Sequence, residues 1–231
     1  AGFLGTVCAN DTLPATFTYT RAVGPYYTCG MYTVENTASF VTNDTATKGS
    51  SSATVTVNCY DLTVTKDADT SFTRTWTWTI DKKDDDSWAL FDGETGTSDF
   101  DVTVDATSAD SNWAVKGAIA VTNNHPSRVA VINSVADVIF DSLNATVSCG
   151  VTFPYDIPAG STLNCTYSRS LPDATTRLNT ATAEQQLYDF DSSKVATADG
   201  TMDYSGTANV DFSGVTVNNI DEQVSVSDDK W

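Results

Sequence analysis

"SATVTVNCYDLTVTKDADTSFTRTWTWTID" (residues 52–81) decides the fold class of this chain. Three runs within it alternate Thr with apolar residues: "ATVTVN" (53–58), "LTVTK" (62–66) and "TWTWTI" (75–80). β-Branched and aromatic side chains suit the pleated surface of a sheet, and β-branching restricts rotamers in a helix. Working outward, 37 of the 231 residues are Thr. No 3.6-residue apolar period persists over three turns, and the one weak helix candidate, "TATAEQQLYDF" (180–190), reads in its first half as a strand. Strands are expected at 16–21, 31–41, 53–58, 61–66, 73–81, 99–106, 113–122, 129–139, 144–149, 162–169, 176–184, 206–212 and 221–228. Turn residues such as "VGP" (23–25), "DGETG" (92–96), "NNHP" (123–126) and "PAGS" (158–161) separate them. Many short strands at this spacing imply an all-β chain packed as sandwiches.

Twelve basic residues stand against 30 acidic ones, a net charge of −18. A nucleic-acid partner or an anionic membrane surface calls for the opposite sign. No run of eighteen apolar residues occurs, so no membrane insertion is expected. The start, "AGFLGTVCAN", lacks a positive n-region, and Ala1 reads as a mature terminus. Five cysteines, at 8, 29, 59, 149 and 165, point to an oxidising, extracellular setting. Without a C-x-x-C pair they do not make a zinc ribbon or a thioredoxin-type site. Cys149 and Cys165, at the ends of adjacent strands around a turn-rich loop, are the first expected disulfide. Cys8 with Cys29 is the second, which leaves Cys59 odd. Asn10, Asn43, Asn144 and Asn164 head glycosylation sequons, so glycan modification is open.

The chain repeats itself. "GTVC" (5–8), "TFTYTRAV" (16–23), "VENTASF" (34–40) and "SATVTV" (52–57) match "ATVSC" (145–149), "NCTYSRSL" (164–171), "RLNTATA" (177–183) and "TANVDF" (207–212), in the same order. The offsets are all roughly 150 residues. Residues 1–59 therefore read as the back part of a domain whose full copy spans 60–220. The opening strand of the full copy, "INSVADVIF" (132–140), has no counterpart near Ala1, but "QVSVSDDKW" (223–231) resembles it, with Asp228 standing where Asp137 stands. If Trp231 is joined to Ala1, Asp228 lies eleven positions before Cys8, and Asp137 lies twelve before Cys149. Residues 221–231 are thus expected to act as a donor strand. Ile220, Gln223, Val224, Ser225, Val226, Ser227 and Asp228 would complete the first domain of the next, identical subunit. The alternative is a strand that pairs within its own chain.

"YDLTVTKDADTSFTRTWTWTIDK" (60–82), "SNWAVKGAIAVTNNHPSRVAVINSVAD" (111–137) and "CGVTFPYDIPAGSTLNCTYSRSLPDATTRLNTATAE" (149–184) resemble tandem immunoglobulin-like repeats, a domain of unknown function in secreted bacterial and archaeal surface proteins. "CGMYTVENTASFVTNDTATKGSSSATVTVNCYDLTVTK" (29–66) looks like the junction between two such repeats. The resemblance implies two immunoglobulin-like β-sandwich domains and surface display, adhesion or fibre building. Where such repeats often carry Cys near the final strand, this chain has Gln223, so the expected partner of Cys59 is absent.

Little catalytic chemistry is legible. His125 is the only histidine, in a Pro-containing turn, and two-histidine metal sites are excluded. No G-x-S-x-G, P-loop or G-x-G-x-x-G occurs. No cofactor is expected. Ca²⁺ is the one candidate ion, at "IDKKDDDSW" (80–88), "FDGETGTSDFD" (91–101) or "YDFDSS" (188–193), although none fits a D-x-[DN]-x-[DN]-G loop and solvated hairpin tips are the favoured reading of these clusters. Trp76, Trp78, Trp88 and Trp113 read as core and sheet surface, whereas an exposed Trp76–Trp78 pair would favour a sugar platform. Lys66 with Asn179 or Asn36 suits an intramolecular isopeptide link of the pilin kind, provided a buried carboxylate lies beside both. The expected function is a non-enzymatic subunit of an extracellular filament or surface fibre, assembled head to tail as a homopolymer. The alternative is a monomeric adhesive or glycan-binding module.

Overall fold

A computed structural model describes residues 2–84, 86–140 and 143–229. Ala1, Asp85, Asp141, Ser142, Lys230 and Trp231 lie outside it, and with them one residue of the 80–88 acidic cluster and the tip of the expected donor strand. All regular structure among the described residues is β.

Among the described residues thirteen strands form three sheets. β1 (Met31–Val41) and β2 (Lys48–Asn58) pair, among the described residues, only with each other. The first large sheet contains β3 (Leu62–Lys66), β4 (Asp69–Lys83), β5 (Asp101–Asn123), β8 (Thr146–Ser148), β10 (Thr162–Ser170) and β13 (Thr216–Ile220). Its order is β13-β4-β5-β10-β8, with β3 also against β5. The second contains β6 (Ala130–Ile139), β7 (Leu143–Asn144), β9 (Tyr155–Ile157), β11 (Arg177–Phe190) and β12 (Ala196–Val210). Its order is β12-β11-β6-β7, with β9 beside β6.

The two large sheets pack face to face as a β-sandwich. Leu62, Val64, Val115, Ile119, Val121, Leu163 and Tyr167 from one sheet meet Ile132, Ile139, Ile157, Ala181, Ala183 and Val210 from the other. Along β3 and β10 burial alternates residue by residue, as period-two patterning dictates. Gly206 on β12 closes one side of the sandwich: a Cβ there would collide with the Val64 carbonyl of β3. β3 and β4 lie in sequence along the same side of β5, interrupted at Asp67, whose side chain accepts from Ala118 N at 2.6 Å. Gly117 opposite leaves the room for this, since a Cβ would strike Asp67 and the Tyr167 ring.

The runs expected at 99–106 and 113–122 form one 23-residue strand, β5, and the weak helix candidate at 180–190 lies wholly in β11. The strand expected at 16–21 does not form, because no ladder partner reaches it. At the other end, Thr216–Ile220 run parallel to Ser71–Thr75 of β4. Asp221 then adopts φ 56°, which takes the backbone out of the ladder. Ile220, expected in a neighbouring subunit, is therefore part of its own sheet. Gln223, Val224, Ser225, Val226, Ser227 and Asp228 are exposed and carry no ladder.

Candidate functional site

The centre of the sandwich holds a polar cluster. Lys66 is the third inward position of β3, after Leu62 and Val64, so its side chain enters the core from the first sheet. Asp137 of β6 and Asn179 of β11 enter from the second. Asp137 is opposite Ala181, and Asn179 is two residues along the same strand, so the two are diagonal neighbours on one face. Lys66 Nζ lies 2.5 Å from Asp137 Oδ1, and both side chains are completely shielded from solvent. The same ammonium sits 4.1 Å from the centre of the Tyr167 ring.

Tyr167 donates its hydroxyl proton to Asp67 O at 2.7 Å. Burial pushes its pKa up to about 12; the Asn179 carboxamide, near the hydroxyl but outside hydrogen-bond geometry, opposes the rise, and the carboxylates of Asp137, Asp67 and Asp69 add to it. Burial also lowers the Lys66 pKa, partly offset by the hydrogen bond and charge of Asp137. Three buried atoms here have no hydrogen-bond partner: Asp137 Oδ2, Asn179 Oδ1 and Asn179 Nδ2. Unpaired polar atoms in a protein interior are costly and rare, and three in one place are an exception to the way the rest of this core is built.

The other sequence candidates are dispersed. Cys149 and Cys165 are joined, the register Thr166↔Ser148 placing them across neighbouring strands. The pairing of Cys8 with Cys29 is corrected. Cys29 is bonded to Cys59, and Cys8 is free and exposed. The hairpin explains it, because Met31↔Asn58 register and the Cys59 N–Gly30 O bond of 2.8 Å bring the residues flanking both strands together. That signal was present in the alternating runs on either side of the two cysteines. Two disulfides fit an oxidising environment.

His125 Nδ1 accepts from Ser127 N and Arg128 N at 3.1 and 2.9 Å, so it organises its own turn. Burial lowers its pKa, as does the charge of Arg128. Trp76 and Trp78 are half-buried and donate to Asn219 Oδ1 and Asp221 O, so they do not form an open platform. Trp113 stacks on Phe72 and meets Phe212 edge-on, while Trp88 donates to Ser98 Oγ. Among the described residues no group of three or more His, Cys, Asp or Glu side chains is gathered to hold a metal ion. The four sequon asparagines are exposed. No family model, curated protein or solved structure matches this chain.

Proposed function

We propose that this protein is a structural subunit of an extracellular filament or surface fibre, built from tandem immunoglobulin-like units and assembled head to tail by strand exchange. The observation that carries this reading is the open edge of β1. The repeat aligns β1 and β2 with β11 and β12, Asn36 with Asn179, and Tyr19 with Tyr167. Asn36 Nδ2 donates to the Tyr19 hydroxyl in the first unit, and Asn179 approaches the Tyr167 hydroxyl in the second. In the second unit β11 has β12 on one side and β6 on the other. In the first, β1 has β2 on one side and, among the described residues, no strand on the other.

The β1–β2 sheet is also two-faced. Tyr32, Val34, Ala38, Phe40, Ala53, Val55 and Val57 share one face; Thr33, Glu35, Thr37, Thr54 and Thr56 share the other. Its apolar side is only partly covered, with Val55 49% and Phe40 61% exposed. Residues 221–229 of a second copy have the complementary character. They form no ladder and alternate Val224 and Val226, which are 46% and 50% exposed, with serines. Transferring the β6–β11 register sets Asp228 opposite Ala38, as Asp137 is opposite Ala181. Burying each valine contributes about 1.5–3 kcal/mol. Ladder bonds add roughly 0.5–1.5 kcal/mol each, so only a fully inserted strand offsets an association cost of about 4–15 kcal/mol. Each joint leaves one free donor and one free acceptor, so assembly grows a filament. The contact that Asp228 makes with Lys82 of its own chain is an exposed pair, weakened by solvent and salt, and is readily exchanged.

Electron microscopy of native material tests the reading directly. Filaments are expected, and a chain ending at Ile220 or carrying Val226→Asp should remain a soluble monomer with an unchanged second unit. Native material that is monomeric throughout, or filaments that persist without residues 221–231, would overturn it.

A further inference from the structure

We propose that Lys66 and Asn179 are joined by an intramolecular isopeptide bond, formed by the protein itself with Asp137 as its acid–base residue. The bond would tie β3, the first strand of the second unit, to β11 of the facing sheet. It is internal to that unit, so it stands or falls independently of head-to-tail assembly.

The chemistry needs a nucleophilic amine, an acyl group and a proton relay, all shielded from water. The amine is Lys66 Nζ, held 2.5 Å from Asp137 Oδ1 in a site with no solvent exposure. Burial lowers the Lys66 pKa, which favours the neutral, nucleophilic form. The acyl group is the Asn179 carboxamide. It is fully buried, and neither of its polar atoms is engaged by a hydrogen bond. The relay is Asp137, diagonal to Asn179 and touching Lys66, with its second oxygen also unengaged. The Tyr167 ring packs against the amine, its centre 4.1 Å from Nζ.

A proton first passes from the Lys66 ammonium to Asp137. The amine lone pair then attacks Asn179 Cγ, a C–N bond forms, and the carbonyl pair moves onto Oδ1. Asp137 hands its proton to Nδ2 and takes one from Nζ. The carbonyl re-forms, the Cγ–Nδ2 bond breaks, and the departing ammonia takes the second proton from Asp137, leaving as ammonium and restoring the carboxylate. Oxidation states do not change and no co-reactant is required. In the product the two unpaired atoms of Asn179 are replaced by one amide whose N–H faces Asp137.

Asn123 gives the contrast within the same core. It is as buried as Asn179, yet Nδ2 donates to Arg128 O, Ile157 O and Pro158 O at 2.8, 3.0 and 3.2 Å, and Oδ1 accepts from His125 N at 2.9 Å. This fold satisfies a buried asparagine where the side chain has a structural task.

The test is mass spectrometry of the reduced, folded full chain, followed by tryptic mapping. The expected mass is lower than the sequence mass by one ammonia. Trypsin should fail to cut after Lys66, giving fragment 49–74 joined to fragment 178–194. Lys66→Arg, which keeps the charge but has no nucleophilic amine, and Asp137→Asn should each restore the full mass and separate the two fragments. Full mass with free 49–66 and 178–194 fragments from folded wild-type protein would overturn the proposal. So would ammonia loss without the branched peptide, since an asparagine cyclising on its own backbone also releases ammonia.

Discussion

Residues 2–59 and 62–220 share a series of similar strand sequences and end up physically unlike. The second region buries sixteen residues in one cluster between two sheets. The first, among its described residues, has no buried side chain, and its covalent tie is the Cys29–Cys59 disulfide. A two-stranded sheet alone is marginal in water, because one face has nothing to pack against. In the second region the disulfide Cys149–Cys165 adds to an existing core; in the first a disulfide closes a hairpin that has none. Identical local patterning yields a stable sandwich only where facing strands are supplied, and the first region obtains its missing strand, on our reading, from another copy.

The largest effect that tests this contrast is Ile119→Ala. Ile119 is fully buried between the sheets, and the substitution should cost about 2–5 kcal/mol through lost burial and cavity formation. The thermal midpoint of the sandwich should drop while hydrogen exchange in β1 and β2 stays unchanged. Faster exchange in β1–β2 would mean that the two regions are coupled.

Cys29→Ser comes next. Opening that 30-residue separation removes a loop constraint of about 2–4 kcal/mol, and it should act locally. Amide exchange in β1–β2 is expected to become fast with the sandwich midpoint unmoved. An equal loss in the sandwich would show that the clasp reaches further than the hairpin.

The smallest effect concerns acid. Asp173, in the loop before β11, accepts from Thr175 N at 2.8 Å and from Arg177 at 2.7 Å. Its hydrogen bonds to Thr175, and then the Arg177 guanidinium, lower its pKa from 3.8 to about 2. A depressed carboxylate stabilises the fold above its unfolded pKa, and the contribution is lost as pH falls through the folded value. Between those two values wild-type should therefore lose stability on acidification, and Asp173→Asn should lack that part of the slope in urea titrations. Exchange in β1–β2 should not follow it.

The all-β class, most strand positions and the repeat were legible in residues 52–81 and their echoes, because period two and turn chemistry are local properties. The Cys149–Cys165 pair was legible for the same reason, as a loop between neighbouring strands. The Cys8–Cys29 pairing failed because it left out the hairpin register that brings Cys29 to Cys59. The strand ending in Ile220 was set by the β4 edge and by the backbone turn at Asp221, neither of which has a periodic signature. Sequence by itself could mark Lys66 and Asn179 as a conceivable pair and name the need for a carboxylate beside them. That Asp137 is that carboxylate depends on β6 lying against β11 in one register and on β3 crossing from the opposite sheet, contacts between residues 71 positions apart. Alternation tells each side chain which face to take; only the packed sandwich decides which faces meet.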